Sequence, residues 1–217
     1  MNAPIFVTGI GTGVGKTIVS AIITEALQAN YWKPIQAGFD DGTDNQQVKS
    51  LVSNTNSIFF DEVYKLQLPA SPHIAAREED VKINLSKIKE NYLSINKQSD
   101  NKNLIIEGAG GLLVPINDNE FIIDIIKTLN ASVVLVSRNY LGSINHSLLT
   151  AQVCKQHNIN VLGWIFNDQY MNYEEEIVAW SGIKKIASIP LATELSKKWI
   201  AEQANALKHN LTSLQLI

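Results

Sequence analysis

The chain has 217 residues, of which 45% are apolar and only 18% charged, with a formal charge of −3 at pH 7. That length and composition suit a globular protein with a sizeable core and exclude a mainly disordered chain. Two arginines, Arg77 and Arg138, and a slight acidic balance argue against a nucleic-acid binder held by phosphate contacts. A single cysteine, Cys154, excludes an internal disulfide and suits a reducing compartment. No basic segment precedes an apolar one at the start, and no apolar run approaches the ~18 residues of a membrane span. A soluble, cytoplasmic protein with no membrane partner is expected.

In chain order, short apolar runs alternate with longer amphipathic stretches. Ile5-Phe6-Val7 reads as a buried strand, Lys16 to Ala29 as a helix, and Trp32 to Ile35 as a second strand. The polar stretch 40–103 is less regular, with helices expected near 71–79 and 84–96 and a solvated turn over Asn96 to Asn103. Leu104-Ile105-Ile106 is a third strand. Ser132 to Val136 and Val161 to Phe166 are continuous apolar runs, as strands covered on both faces should be. Ile183 to Ile189 reads as the last strand. Helical patterns occupy about 118–129, 142–157, 172–181 and 193–207. Glu174-Glu175-Glu176 falls in the first turn of one, where the helix dipole favours negative charge. The alternation predicts an α/β fold, a mostly parallel sheet with helices on both faces, in one domain over residues 1–217.

The sharpest motif is Gly9-Ile10-Gly11-Thr12-Gly13-Val14-Gly15-Lys16-Thr17, which follows a strand and opens a helix. Glycines there let the backbone aim its N–H groups at phosphate oxygens. Lys16 would neutralise the β- and γ-phosphates, and the Thr17 hydroxyl would ligate Mg²⁺. The usual pattern has glycine at position 10, where this chain has Ile10, and its first glycine comes one residue early. The dinucleotide fingerprint G-x-G-x-x-G fails in every register, so a nucleoside triphosphate is expected and a P-loop NTPase-type fold with it. Glu107 ends an apolar run and precedes Gly108, Ala109, Gly110 and Gly111, small residues that permit close approach of a ligand. It is either a Mg²⁺ ligand beyond a strand end or a surface charge. Asp44 sits in an acidic loop that by pattern alone reads as solvated. Lys33 either reaches the same phosphates or snorkels to the surface.

At this point the residues resemble a known family. Lys33-Pro34-Ile35-Gln36-Ala37-Gly38, Ser71-Pro72-His73, Glu107 to Gly111, Leu141 to His146, Leu149 to Gln152 and Gly163 to Asp168 recur in this order in dethiobiotin synthase. The resemblance spans about residues 4 to 195. It implies ATP- and Mg²⁺-dependent carboxylation of 7,8-diaminononanoate with CO₂ (or bicarbonate as its source), followed by ring closure to a cyclic urea. By resemblance, Thr17, Asp44 and Glu107 are the Mg²⁺ ligands, and Gly13, Val14, Gly15, Lys16 and Thr17 cradle the phosphates. Gly108, Ala109 and Gly110 flank the nucleotide. Lys16 and Lys33 stabilise the transferring charge, Thr12 faces the carbamate, and Ala37 occupies a substrate-contacting position that is often Ser or Thr. Asn167, with Asp168 beside it, matches the adenine-reading residue, and Pro190 and Leu191 close the base pocket. Gly142, Ser143, Ile144 and Asn145 resemble the helix start that holds the substrate's carboxylate tail across a homodimer interface.

Other features carry bland readings. Cys154 and His157 share a helix face but cannot by themselves close a zinc site. His146 is either a ligand contact or a hydrogen-bonding residue at a helix start, and His73 is similarly open. Trp164 belongs to a buried strand, and Lys184-Lys185 and Lys197-Lys198 read as solvated pairs. The alternative function is a partner-regulated P-loop ATPase switch. Such proteins carry an extra lysine where this chain has Gly11, and a membrane-targeting tail where Ala201 to Ile217 is only mildly amphipathic.

Overall fold

The computed structural model describes residues 3–99, 102–168, 171 and 173–212. In chain order the strands are β1 (Ile5–Gly9), β2 (Asn30–Trp32), β3 (Ile35–Ala37), β4 (Phe59–Phe60), β5 (Tyr64–Leu66), β6 (Leu104–Gly111), β7 (Ser132–Arg138), β8 (Val161–Asn167) and β9 (Lys185–Ile189). The helices are α1 (Lys16–Leu27), α2 (Asp44–Leu51), α3 (Pro72–Glu78), α4 (Leu85–Gln98), α5 (Ile122–Thr128), α6 (Ser143–Gln156), α7 (Glu174–Ser181) and α8 (Lys197–Thr212). Seven strands form one sheet in the order β4-β2-β6-β1-β7-β8-β9, and every neighbouring pair is parallel.

Alternation along the strands divides the core into two layers. Ile5 and Val7 face one side with Ile105, Val134 and Ile165, against Ile22 of α1, Val48 of α2 and Ile200 of α8. Phe6 faces the other with Trp32, Ile106, Leu135 and Trp164, against Ile88 of α4, Ile125 of α5, Cys154 of α6 and Ile177 of α7. The expected helices on both faces are there. Among the described residues no helix is long and apolar enough to cross a membrane.

Several boundaries differ from the sequence expectation, each for a local reason. The strand expected over Trp32 to Ile35 is two strands, because Pro34 has no N–H to donate to a ladder. The carbonyl of Pro34 instead accepts from Val63 and Tyr64 (3.0 and 3.1 Å), and β3 pairs with β5 in a separate two-stranded ladder. The irregular stretch contains α2, β4 and β5, which are too short to show a period. The start of α2 is fixed by Thr43 and Gln46, which cap each other's backbone. β6 does not stop at Ile106: its small residues continue the ladder, and Glu107 pairs with Val7 in mid-strand. A Cβ at Gly108 would lie 2.7 Å from Phe6, so only glycine keeps this strand in place. α5 starts at Ile122, after a Pro115–Phe121 bridge and an Asn117–Glu120 turn. α4 runs on to Gln98, into the expected turn, whose residues 100 and 101 lie outside the described ones. β9 begins at Lys185, and α8 begins at Lys197 and runs past the expected end to Thr212.

Candidate active site at the glycine-rich loop

The loop between β1 and α1 is shaped by contacts that only glycine permits. A Cβ at Gly9 would lie 2.5 Å from Val14 Cγ2, which explains the early glycine, while Ile10 donates its N–H to Val136 (3.0 Å) and packs into the core. Gly15 caps α1 with φ at +91°, and a Cβ there would meet the Asn167 amide nitrogen at 2.3 Å. The Lys16 ammonium folds back onto the loop and donates to the Gly11 carbonyl at 2.8 Å.

A cluster of buried charge stands beside the loop. Glu107 is 1% exposed and accepts through Oε1 from Thr17 Oγ1 and from Lys33 Nζ, both at 3.0 Å, and through Oε2 from the Tyr31 hydroxyl at 2.8 Å. Lys33 also pairs with Asp44 at 2.6 Å. Lys33 is therefore no snorkelling surface residue, and Glu107 no surface charge. Burial works against the Lys33 ammonium, but Glu107 and Asp44 overcome it and raise its pKa. Lys16 has the opposite balance: burial and the neighbouring Lys33 lower it to about 8, against the pull of Glu107 and Asp44. Gln36 places Asp44, since its Oε1 accepts from the Asp44 N–H (3.2 Å) at the start of α2. No cluster of three or more His, Cys, Asp or Glu residues among the described residues forms a ready metal cage. Two carboxylates and a hydroxyl gathered at the loop nonetheless fit Mg²⁺, which takes one or two carboxylates and completes its shell from phosphates and water.

The loop separates two cavities. One, of about 690 Å³, is lined by Thr12, Lys16, Thr17, Lys33, Ala37, Asp44, Glu107, Ala109 and Gly110, and by Ser71 and Pro72. The other, of about 220 Å³, is lined by Val14, Ile18, Asn167, Asp168, Pro190, Leu191 and Trp199. Asn167 donates to the Val14 carbonyl at 2.6 Å, and Asp168 faces Arg138 at 3.4 Å. Gly13 and Gly15 line both. Gly142 to Asn145 line neither: they open α6, with Gly142 at φ +100°. Ser143 is fully buried and its hydroxyl bonds Tyr173 (2.9 Å) and the Tyr140 N–H (3.3 Å), so its side chain is not presented to a ligand. The helix start offers instead the backbone N–H groups of Ile144 and Asn145.

The remaining features take structural places. Burial pushes the Cys154 thiol up to about 12, and His157 meets Lys127 (2.9 Å) rather than Cys154. His146 pairs with the Tyr140 hydroxyl at 2.7 Å, and Trp164 is fully buried. His73 keeps a buried Nδ1 without a hydrogen-bond partner. Lys185 is not simply solvated, since it pairs with Glu174 and Glu175, and Glu174 itself is buried against Ser188. Tyr31 escaped sequence reasoning entirely. On an apolar strand it reads as core, and its contact with Glu107 joins residues 76 positions apart.

Comparison with known proteins identifies the family and the fold. A family model described as an AAA domain matches residues 3–198. The ATP-dependent dethiobiotin synthetase BioD of Christiangramia forsetii is 42% identical over 210 residues, covering 96% of this chain and 98% of that protein. Its counterpart in Cytophaga hutchinsonii is 43% identical over 206 residues, covering 94% and 97%. Among solved structures, a chain of the MinC:MinD cell division protein complex of Aquifex aeolicus superimposes with a TM-score of 0.61 at 15% identity, over 99% of this chain and 96% of that one. A ParA family ATPase from Chlorobium tepidum gives 0.56 at 13% identity, covering 98% and 93%. These last two establish the P-loop NTPase fold, and the close relatives settle the rest: the chain belongs to the ATP-dependent dethiobiotin synthetase family of enzymes.

Proposed function

We propose that this protein, as one catalytic domain, converts 7,8-diaminononanoate, CO₂ and ATP to dethiobiotin, ADP and phosphate. The observation that carries the reading is the convergence of Lys16, Thr17, Lys33, Asp44 and Glu107 on one cavity, separated by the glycine-rich loop from a base-sized cavity beside Asn167. ATP then lies with its base between Asn167, Pro190 and Leu191 and its phosphates along Gly13 to Thr17. Thr17, Asp44 and Glu107 would hold Mg²⁺, which when bound neutralises phosphate charge. Arriving phosphates draw the Lys16 ammonium from the Gly11 carbonyl to the β- and γ-oxygens. One amine of the substrate takes up CO₂ to give a carbamate near Thr12 and Ala37. The carbamate oxygen attacks the γ-phosphorus and ADP leaves. The second amine attacks the carbamoyl carbon, the urea ring closes and phosphate departs. Lys33 follows the charge on the moving phosphoryl group, so the site works by positioning and neutralisation rather than by covalent attachment.

A homodimer is part of the proposal, with the substrate's carboxylate on the Ile144 and Asn145 N–H groups of a second copy. Leu141 and Leu149, 88% and 58% exposed near that helix start, support a covered face there. The alternative, a partner-regulated ATPase switch, draws on the MinD and ParA likeness, but Gly11 replaces the lysine that such proteins carry. Phosphate release from MgATP decides between them. It should require both diamine and bicarbonate, with a cyclic urea as product. Equal turnover without diamine would reject the ligase reading.

A further inference from the structure

Glu107 divides its two oxygens between the cavity and the core. Oε1 faces outward to Thr17 and Lys33, while Oε2 is held from behind by the Tyr31 hydroxyl at 2.8 Å. Tyr31 is fully buried on β2, wedged beside Phe59 of the edge strand with ring centroids 6.2 Å apart. It has no other acceptor for its hydroxyl in the described hydrogen bonds, and its strand neighbour is Ile105, two residues before Glu107. We infer that Tyr31 is a positioning residue for the metal site: it turns the Glu107 carboxylate so that Oε1 alone is presented, as a single-oxygen ligand. This rests on the reading of Glu107 as a Mg²⁺ ligand. Mg²⁺ demands near-octahedral geometry, which a carboxylate free to rotate or to bind through both oxygens satisfies poorly. Partners that orient a metal ligand commonly change metal affinity 10- to 100-fold when removed.

The test reads binding rather than turnover. A fluorescent ADP analogue is titrated with the full chain at fixed low concentration while Mg²⁺ is varied. Tyr31→Phe keeps the ring and removes the hydroxyl. It should raise the Mg²⁺ concentration for half-maximal binding about 10-fold, while metal-free affinity for the analogue stays within about twofold. A merely structural hydroxyl would lower the melting temperature without moving the Mg²⁺ midpoint. Glu107→Gln is the reference: it should move the midpoint, and adding Tyr31→Phe to it should move it no further. An unmoved midpoint in Glu107→Gln would reject the metal reading and this inference with it. A midpoint that moves in Glu107→Gln but not in folded Tyr31→Phe would overturn the positioning role alone. Replacing Tyr31 by p-aminophenylalanine, which keeps the shape and a weaker donor, covers the case in which Tyr31→Phe does not fold. Its midpoint should lie between the wild-type and Glu107→Gln values, and a wild-type midpoint would overturn the role.

Discussion

The two cavities on either side of the glycine-rich loop hold their charges differently. On the proposed phosphate side three of the lining charges are buried, with Lys16 7%, Lys33 4% and Glu107 1% exposed. On the base side Ile189, Pro190, Leu191 and Trp199 form an apolar wall, Asn167 reaches the loop, and the charges present, Arg138 and Asp168, are a partly exposed pair at 3.4 Å. Buried charges are mutually dependent: each is tolerable only because its partners stand within hydrogen-bond reach, so removing one strands the others. Apolar walls contribute by area and shape, and a single change there costs little beyond its own contacts. The phosphate side should therefore fail as a unit, while the base side should degrade in steps.

Lys33→Ala gives the largest expected effect. It leaves Glu107 and Asp44 facing each other without their shared cation, at a cost of about 3 kcal/mol to the ligand-free fold. Turnover should fall at least ~100-fold, the scale of one lost transition-state donor. Urea unfolding and phosphate release measure the two, and unchanged stability would contradict the unit behaviour. Asn167→Ala comes next. It should weaken ATP binding about 10-fold, ~1.4 kcal/mol, and leave turnover at saturating ATP nearly intact. A loss in turnover as large as that of Lys33→Ala would erase the distinction between the two sides.

The smallest effect calibrates the rest, at a carboxylate remote from both cavities. Glu25 on α1 accepts from the Ser53 N–H and hydroxyl (both 2.7 Å) and from the Asn54 N–H (3.1 Å). Burial acts to raise its pKa, but these bonds overcome it and hold the carboxyl below its ordinary range. A depressed carboxylate stabilises the fold fully above its unfolded pKa of about 4.3 and loses that contribution as pH falls through the folded value. Glu25→Ala should cost about 1 kcal/mol at pH 7. The gap to wild type should close as the pH drops below about 4. A gap independent of pH would assign the effect to packing.

Much of the phosphate side was legible because its signals are local. The glycine-rich run sits between a strand and a helix in sequence as in space, and Lys16 and Thr17 follow it directly. Asp44 was the least legible of the residues that meet beside the loop: its acidic loop reads as solvated until Gln36 and the Thr43 cap fix the start of α2 beside Lys33. Glu107 read as the end of a strand because apolar periodicity stops there, yet backbone pairing with β1 continues through glycines that carry no hydropathy signal. Ser143 read as a ligand residue from its motif, whereas its hydroxyl is consumed by Tyr140 and Tyr173, 3 and 30 positions away.

By itself the sequence determined what depends on near neighbours along the chain: the alternation of strands and helices, the phosphate loop, and the ordered motifs that point to a family. Strand order was decided only in three dimensions, since parallel neighbours such as β1 and β6 are joined through long connections and register depends on which apolar faces meet. So was the ionic state of the site. Lys16 and Lys33 are the same residue type and both are buried, yet their proton affinities move in opposite directions. Lys33 lies between two carboxylates brought in by α2 and β6, whereas Lys16 has only a carbonyl in hand and a second ammonium nearby. Desolvation acts on both alike, and only the placement of opposite charge within a few ångströms separates them.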